Sequence, residues 1–535
     1  MVTQSSLTFD RQFNKHKINI FGLAETRNNF SNTLAATGYG LDFLTLDELS
    51  MITNTTGIGE EKVPVISGGS GQSRLIGFVG RVNYDFDNRY LLEASLRRDG
   101  SYLFSGMAGS QWVNLPAVSA GWRINNEEWF QADWIDNLKL RGGIGKTATS
   151  AVSAFQYLNL MTITSNAVIF GNKSQSIIYS GTLGNPYLSW AKAITYNGGV
   201  EFMAWKGLLG VELDLFYKYQ YDLLGGVGGS YPPSMGGYYF STDNINKIDY
   251  RGFDFTITHN NKIGSFKYGI KWVGTLAYRR WLYYAGDSEN TPDYRKLTGK
   301  EVGAQLGFIA EGLFQSQEEI DNSPTVDGYK VVPGYIKYKD RNGDGRITYA
   351  QDMGYVGKSP YSKFQTSLNV NGEWKGFDFD ILLQSGLGRT VALTGVYTST
   401  GSVGIMDNTA FTRLFYHGGN SPRFIPENSW RPDNPNAEFP RLSLVTVSNN
   451  NGFSSTFWYR NGNYLRLKSF QLGYTIPVAF TRNVGVDRIR LFVEGSNVLT
   501  FSELTKFNID PEQPGVNNGY YPQQKTFSFG INFSL

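Results

Sequence analysis

The stretch that decides the fold is Val211-Glu-Leu-Asp-Leu-Phe-Tyr-Lys-Tyr-Gln-Tyr221, in which apolar and polar side chains alternate. Its odd-numbered positions read Val, Leu, Leu, Tyr, Tyr and Tyr, whereas its even-numbered positions read Glu, Asp, Phe, Lys and Gln. Successive side chains of a β-strand point to opposite faces of the sheet. The stretch therefore predicts a strand with one apolar face and one face that is mostly charged or polar.

The same period of two recurs along the chain. The apolar positions of three further stretches are Ile76, Phe78, Val82, Tyr84 and Phe86; Phe266, Tyr268, Ile270, Trp272, Leu276 and Tyr278; and Phe364, Thr366, Leu368 and Val370. The last residues repeat it with Phe527, Phe529, Ile531, Phe533 and Leu535. A closed barrel has to pair its final strand, whereas the termini of soluble proteins usually fray. We therefore expect a barrel rather than a soluble β-sandwich.

Composition agrees with a β-protein and excludes several other classes. The 535 residues include 62 Gly and 15% aromatic residues, a mixture that favours strands and tight turns. Lys and Arg (49) nearly balance Asp and Glu (46), so the charge gives no reason to expect a nucleic-acid partner. The chain has no Cys, which excludes disulfides and thiolate sites. Its apolar runs are shorter than the roughly 18 residues of a membrane helix.

The connections between these stretches alternate between short and long. Short turns are predicted near Asn14–His16, Phe86–Asn88, Trp205–Gly207, Asn260–Gly264, Glu373–Gly376 and Pro477–Arg488, and a short helical connection at Asn125–Asp136 makes seven. The long segments, rich in Gly, Asn, Ser and Tyr, are 27–72, 148–190, 222–246, 282–362 and 391–455. Short periplasmic turns and long extracellular loops are typical of outer-membrane barrels. Seven hairpins and a last strand predict about fifteen strands.

We therefore predict an all-β, antiparallel transmembrane β-barrel whose apolar face contacts outer-membrane lipid. Aromatic residues stand near the ends of that face, as interfacial girdles require: Tyr84, Phe86, Tyr90, Trp205, Tyr217, Tyr219 and Tyr221. Arg98 shares the apolar face with Leu92 and Leu96, and we expect it at the outer end of its strand. Two alternatives stay open, a secreted β-rich glycan-binding or adhesin protein and an enzyme in a barrel. Because no Ser/His/Asp constellation can be placed, we expect no catalytic residue.

The segment Asp340-Arg-Asn-Gly-Asp-Gly-Arg-Ile-Thr-Tyr-Ala-Gln-Asp352 has the spacing of a calcium-binding loop. Gly345 permits the sharp turn that such loops need. Position 12 is Gln351 instead of the usual bidentate Glu, so the next residue is the expected substitute. The predicted oxygen ligands of a structural Ca²⁺ are Asp340, Asn342, Asp344, the carbonyl of Arg346, and Asp352. The alternative is an Asx/Gly-rich turn without a metal.

Two further groups of residues invite a functional interpretation. The histidines His16, His259 and His417 are far apart in sequence, so we expect solvated turn residues rather than a metal or catalytic set. Aromatic residues in the long segments suit stacking on sugars or peptides, but packing within the loops explains them equally well. They are Tyr231, Tyr238, Tyr239, Phe240, Tyr283, Tyr284, Phe415, Tyr416, Trp458 and Tyr459.

Several stretches resemble the SusC/RagA family of TonB-dependent outer-membrane transporters of Bacteroidota. They are Val79–Gly100, Ser429–Arg441, Tyr464–Pro477, Arg490–Phe501 and Tyr521–Gly530, and the likeness extends over essentially the whole chain. The resemblance implies uptake of glycans or oligopeptides across the cell outer membrane. It also implies two protein partners, a SusD-like surface lipoprotein on the extracellular loops and TonB acting through an N-terminal region.

The departures from this family are equally specific. Its full members carry a signal peptide, a TonB box and a plug ahead of a barrel of 22 strands, and none of these N-terminal parts is visible in the sequence. We therefore expect residues 1–535 to form the C-terminal part of such a barrel, with about 15 of 22 strands. The first of these strands would be the eighth of the full barrel.

Overall fold

A computed structural model describes most of the chain. The described residues are 1–40, 48, 52–53, 61, 63–181, 183–227, 231–235, 239–393, 422–442, 450–481, 485–513 and 523–534. Within these ranges, no helix has the length and apolar character needed to cross a membrane.

One antiparallel sheet of fifteen strands dominates the structure, and each strand pairs with the next along the chain. The strands are β1 (Val2–Phe13), β2 (His16–Thr37), β3 (Val65–Phe86), β4 (Tyr90–Ser101), β5 (Trp112–Arg123), β6 (Ile135–Thr149), β7 (Ala191–Ala204), β8 (Leu209–Gly226), β9 (Thr242–Ile263), β10 (Phe266–Tyr283), β11 (Phe364–Trp374), β12 (Phe377–Leu387), β13 (Tyr464–Thr475), β14 (Arg488–Ser502) and β15 (Thr526–Ser534). β1 and β15 are the two edges of this sheet. The count agrees with the prediction made from the hairpins.

The seven short connections lie where the sequence predicts them, and all seven are at one end of the sheet. Three of them have only two residues, and in the one between β11 and β12 the φ angles of Lys375 and Gly376 are 46° and 90°. Two consecutive positive φ angles match the right-handed twist of the flanking strands. The connection between β5 and β6 contains the 3₁₀ turn Ile124–Asn126, as the predicted helical connection requires.

The long connections lie at the opposite end, but the predicted extent of the first one, 27–72, is wrong. β2 continues to Thr37 and β3 begins at Val65, and these two residues pair with each other. The extension is rich in Gly, Ser, Thr and Asn, so no apolar alternation marks it in the sequence. Backbone N–H and C=O groups pair whatever the side chain is, and the strands therefore run on beyond the apolar pattern.

The short elements belong almost entirely to the long connections. A separate hairpin is formed by Met161–Phe170 and Lys173–Ser180. The other short strands are Gln305–Gly307, Ala310–Leu313, Thr325–Val326, Ile336–Tyr338, Arg346–Ile347, Gly354–Gly357, Thr390–Ala392 and Tyr459–Asn461. The α-helices are Gln317–Asp321, Phe424–Glu427 and Val478–Thr481, and the remaining 3₁₀ turns are Met107–Gly109, Pro233–Met235 and Glu503–Phe507.

The two faces of the sheet carry the side chains that the alternation predicts. On the outward face of β8, Leu215 is 57% exposed although it is a large hydrophobe. On the inward face, Asp214 and Glu201 accept hydrogen bonds from Arg141, over 3.1 Å from its Nε and 2.7 Å from its Nη1. A shift of register by one residue would turn such charges to lipid, at about 2–4 kcal/mol for a basic residue near the midplane. The assigned register is confirmed.

β15 completes the alternation at the end of the chain. It pairs with β14 from Thr526 to Ser534. Phe527, Phe529, Ile531 and Phe533 all lie on its exposed apolar face, and Phe529 is 84% exposed. Leu535 lies outside the described residues.

The best-packed hydrophobic core lies in the long connections and not under the sheet. We call it the loop core. Its buried members are Phe308, Val326, Ile336, Tyr338, Ile347, Met353, Val391, Leu393, Ile425, Phe439, Phe453, Trp458, Leu504, Phe507 and Ile509. They come from the connections after β10, β12 and β14. Three long loops therefore fold together into one compact unit at the long-loop end of the sheet.

Candidate functional site

The predicted calcium loop folds as a tight turn that begins at Asp340. The two carboxylate oxygens of Asp340 accept hydrogen bonds from the N–H groups of Gly343 (2.6 Å) and Gly345 (2.8 Å). Both glycines have positive φ, 78° and 83°, a conformation that side chains disfavour. Partial burial acts to raise the pKa of Asp340, but the surrounding backbone N–H donors, Gly345 first, outweigh it and hold that pKa below its usual value.

The next two predicted ligands belong to the same turn. Asn342 accepts a hydrogen bond from the N–H of Asp344 (3.2 Å) and donates one to its carboxylate (2.9 Å). Asp344 in turn accepts from the N–H of Arg346 (2.9 Å). The side chain of Arg346 is bonded to Asp327 (Nε to Oδ1, 3.0 Å), so only its carbonyl is available as a ligand.

Asp352 closes the loop. It is fully buried, and its oxygens accept from the N–H groups of Arg341 and Thr348, both over 2.8 Å. Within the described ranges, no three His, Cys, Asp or Glu side chains converge on a point that could hold a metal. Each carboxylate oxygen has two lone pairs, however, so a hydrogen bond to it does not use up its acceptor capacity. The residue types and the two left-handed glycines are those of a Ca²⁺ loop, but the described structure does not gather Asp340, Asp344 and Asp352 around one point.

The loop is attached to the loop core by its central residues. Arg346 and Ile347 pair in parallel with Thr325 and Val326, and both Ile347 and Val326 are buried in the loop core. Any ligand that ordered the turn at Asp340 would therefore also stabilise the loop core.

Two of the aromatic residues in the loops are packing residues. Trp458 is only 1% exposed in the loop core, and its Nε1 donates to the carbonyl of Asn451 over 2.7 Å. The hydroxyl of Tyr459 donates to the carbonyl of Leu306 over 2.7 Å, and burial raises the pKa of Tyr459 to about 12. For these two residues, the interpretation as loop packing is right and the interpretation as a ligand platform is wrong.

Other loop aromatics are only partly buried. Tyr231 and Tyr239 stack with their ring centroids 4.7 Å apart and their planes 14° from parallel. Tyr283 is exposed, and Tyr284 packs edge-on against Trp281 at 5.0 Å. Phe240 is half-buried. Tyr238, Phe415 and Tyr416 lie outside the described residues.

The two described histidines each pair with a tyrosine. Nδ1 of His16 lies 2.7 Å from the Tyr84 hydroxyl, and Nε2 of His259 lies 3.0 Å from the Tyr268 hydroxyl. They are on separate hairpins, so the structure does not bring them together. His417 lies outside the described residues.

Sequence reasoning missed an ion cluster that fastens a loop to the inward face. Arg466, on β13, is 2% exposed, and its Nη2 donates to Asp510 over 2.8 Å. Glu512 bonds to both Arg466 and Lys468. The acids are more than forty residues from Arg466 along the chain, so no local motif announces them. The cluster holds the connection after β14 against the sheet.

A family model described as TonB dependent receptor-like, beta-barrel, matches residues 2–339. TonB-dependent receptor P26 of Formosa agariphila is 26% identical over 489 residues, covering 86% of this chain and 46% of that protein. SusC of Bacteroides thetaiotaomicron is 24% identical over 487 residues, covering 87% of this chain and 44% of that protein.

Among solved structures, the RagAB peptide importer in its open-open state superposes with a TM-score of 0.71 at 20% identity. That match covers 100% of this chain and 54% of the other, and it shows a shared fold. The chain spans about half the length of the curated relatives it matches.

Proposed function

Because this chain belongs to the TonB-dependent receptor β-barrel family of the outer membrane, we propose that it forms the transmembrane wall of a SusC/RagA-type importer of glycans or oligopeptides. Its short turns face the periplasm and its long loops face the cell exterior. Transport by such a wall needs no covalent chemistry from its residues. The inward face supplies a polar passage, and the outward face supplies the contact with lipid.

The observation that carries this proposal is the division of the sheet into an exposed apolar face and an inward charged face. Leu215 and Phe529 stand free on the outward face, whereas Arg141, Glu201 and Asp214 bond to one another on the inward face. A secreted β-protein would bury such an apolar face against a second layer. That alternative, a glycan-binding protein or adhesin, is therefore disfavoured.

The proposed partners follow from membership of the TonB-dependent receptor family. TonB would supply energy through a plug that occupies the lumen, as membership of the TonB-dependent family suggests. A SusD-like surface lipoprotein would rest on the loop core, which provides a packed and therefore rigid platform. Half-buried aromatic pairs such as Tyr231 and Tyr239 would contact a sugar ring or a peptide side chain with the part of their surface that is free.

An uptake experiment in the native bacterium tests the function. The gene for the protein is deleted, and the uptake of isotopically labelled oligosaccharides and oligopeptides is measured with and without a protonophore. We expect the deletion to abolish uptake of one of the two classes, and the protonophore to do the same in the wild type. Unchanged uptake of both classes in the deletion strain would refute the proposal. Wild-type uptake that resists the protonophore would refute the dependence on TonB.

We also propose that the loop binds one structural Ca²⁺. Its ligands would be Asp340, Asn342, Asp344, the carbonyl of Arg346, and Asp352. The ion would neutralise carboxylates that the turn crowds together and would hold the turn to the loop core. Isothermal titration of the detergent-purified chain with CaCl₂ tests this, and Asp340→Asn is expected to weaken binding at least tenfold. Asp293→Asn, on an exposed loop aspartate paired with Lys296, is the control. No heat of binding at millimolar Ca²⁺ would overturn the proposal.

A further inference from the structure

Five of the basic side chains on strands β4 to β10 stand on the lipid-facing side of the sheet, at or near its long-loop end. Residues directly opposite each other on neighbouring strands point to the same face, and each of the five stands opposite a residue of the outward face. The pairs are Arg98 with Phe78, Lys146 with Ile194, Lys192 with Tyr221, and Arg251 with Tyr217. Arg280 stands opposite Asp249, and Asp249 stands opposite Tyr219. We call these five residues the cationic rim. They come from β4, β6, β7, β9 and β10.

The height of the cationic rim coincides with the outer boundary of the hydrocarbon. Four of its members, all except Arg98, lie roughly a dozen residues from the short-turn end of their strands. At about 3.4 Å per residue and a tilt of about 45°, a dozen residues climb about 30 Å, just beyond the roughly 25 Å apolar band of such barrels. These four members therefore lie at the level of the outer-leaflet headgroups, whereas Arg98 stands lower on the same face, closer to the short-turn end of β4.

Aromatic rings separate and orient these cations. The guanidinium of Arg98 lies over the Trp112 ring at 5.0 Å, and that of Arg251 lies over Tyr278 at 6.0 Å. The ammonium of Lys192 lies over Tyr221 at 5.9 Å and is also paired with Asp222 at 2.8 Å, so it adds less free positive charge than the arginines do. Rings at the interface keep their apolar bodies toward lipid and their polar edges toward water. At the short-turn end, the connections around β6 and β7 carry the stacked rings of Trp134 and Trp205 (5.2 Å).

The best-defined part of the cationic rim is the triad of Arg251, Asp249 and Arg280. Asp249 is almost fully buried, and its Oδ2 accepts one N–H from Arg251 (3.0 Å) and one from Arg280 (3.1 Å). Two cations on one carboxylate leave a positive charge in excess. A guanidinium has five N–H donors, so each arginine keeps most of its donors for a further anion. Asp249 is thus a buried acceptor shared by both guanidinium groups, and it fixes their positions in the cationic rim.

We propose that the cationic rim binds the phosphate groups of a phosphorylated glycolipid in the outer leaflet. Arginine is the side chain best matched to phosphate, because its planar fork forms two parallel hydrogen bonds with one group. The acyl chains of the same lipid would lie against the exposed apolar wall that begins directly below, at residues such as Leu96 and Leu215. Anionic lipid adds electrostatic attraction of about 1 kcal/mol per basic residue near a membrane surface. The site is independent of which cargo the protein transports.

Titration with a defined lipid tests the proposal. The detergent-purified full chain is titrated with bisphosphorylated lipid A and with chemically dephosphorylated lipid A, and the bound fraction is read by native mass spectrometry. We expect the phosphorylated form to bind at least tenfold more tightly. The variant D249N/R251Q/R280Q is expected to lose this preference. Asp249 is replaced together with the arginines because an unpaired buried carboxylate would destabilise the sheet for an unrelated reason.

Lys218→Gln is the matched control, since Lys218 lies on the inward face of β8 at a similar height. It should bind both lipids as the wild type does. Each variant must retain its heat-modifiable migration in SDS gels, as a folded barrel does. Should the triple variant fail to fold, R98Q/K146Q takes its place and is expected to weaken binding of the phosphorylated lipid at least threefold. Equal binding of both lipids by the wild type, or an undiminished preference in a folded rim variant, overturns the proposal.

Discussion

Trp458 shows how much depends on where a single side chain lies. Its sequence neighbours place it in a long polar connection, where an aromatic ring is as consistent with a ligand platform as with packing. In the structure it is among the largest fully buried side chains, and it contacts Phe457 edge-on at 5.0 Å. Its ring therefore contributes to the stability of the loop core and has no face free for a ligand.

Replacing Trp458 with Ala should destabilise the loop core by about 3–5 kcal/mol, because the change removes a large buried ring and leaves a cavity. The measurement is the rate of cleavage within the loops by a dilute protease, followed as a function of urea concentration. Tyr187→Ala is the control, since Tyr187 is an exposed ring in another loop. Equal protection of the two variants would contradict this assignment.

The loop core should also weaken at alkaline pH. Burial raises the pKa of Tyr459, whose hydroxyl donates to the carbonyl of Leu306 beside the loop core, to about 12. The unfolded value is about 10, so this contribution to stability is complete below about pH 10 and is lost as the pH rises toward 12. Protease protection measured from pH 8 to 12 checks this. Tyr459→Phe should flatten the decline, and an unchanged pH profile in that variant would count against it.

At the scale of the element, β8 shows how a strand acquires two different faces. Leu215 points to lipid, while the adjacent Asp214 is held by Arg141 on the inward face. The bilayer penalises an outward charge and tolerates an inward one. The strand register is thus set by the solvent on each side as much as by pairing with β7 and β9.

Leu215→Arg should reduce the free energy of unfolding in lipid vesicles by about 2–4 kcal/mol, because the new charge would lie near the bilayer midplane. Thr256→Arg is the matched change on the inward face, where the new side chain would stand opposite Glu212. The Thr256→Arg variant should have nearly the same free energy of unfolding as the wild type. Guanidinium titration of both variants in vesicles gives the comparison, and equal losses would mean that the two faces are wrongly assigned.

At the scale of the whole molecule, the protein combines two units that are stable for different reasons. The sheet is held by continuous backbone pairing, which is costly to break in lipid because no water can replace it. The loop core is held by side-chain packing among connections that lie far apart in the chain, as in the hydrogen bond from the N–H of Ile336 to Asn451 (2.9 Å). The Arg466 cluster fastens the last of these connections to the sheet.

The two units should unfold separately. Moderate urea is expected to open the loop core first, exposing residues 284–363 to protease while heat-modifiable migration of the barrel persists. The physical reason is that urea weakens apolar packing in the aqueous loops but does not reach backbone pairs shielded by lipid. Simultaneous loss of both properties at one urea concentration would show that the sheet and the loop core form a single cooperative unit.

The sequence by itself determined the strand number, the two faces, the seven short turns and the outer-membrane setting. These features depend on rules that act between near neighbours, namely the period of two and the turn preferences of residues such as Asn14 and Gly376. The same local rules identified the turn from Asp340 to Asp344. They could not decide whether Asp352 binds a metal or only holds the loop through its hydrogen bonds to backbone N–H groups.

Only the tertiary structure decided what depends on residues distant in the chain. Three features each need partners from other elements of the fold. They are the burial of Trp458, the pairing of Arg466 with Asp510, and the hydrogen bonds of two arginines to Asp249. Local patterns cannot reveal them, because a contact across 30 or 100 residues leaves no periodic trace. The extension of β2 and β3 is the converse case, in which backbone pairing alone continues a strand where the side chains carry no signal.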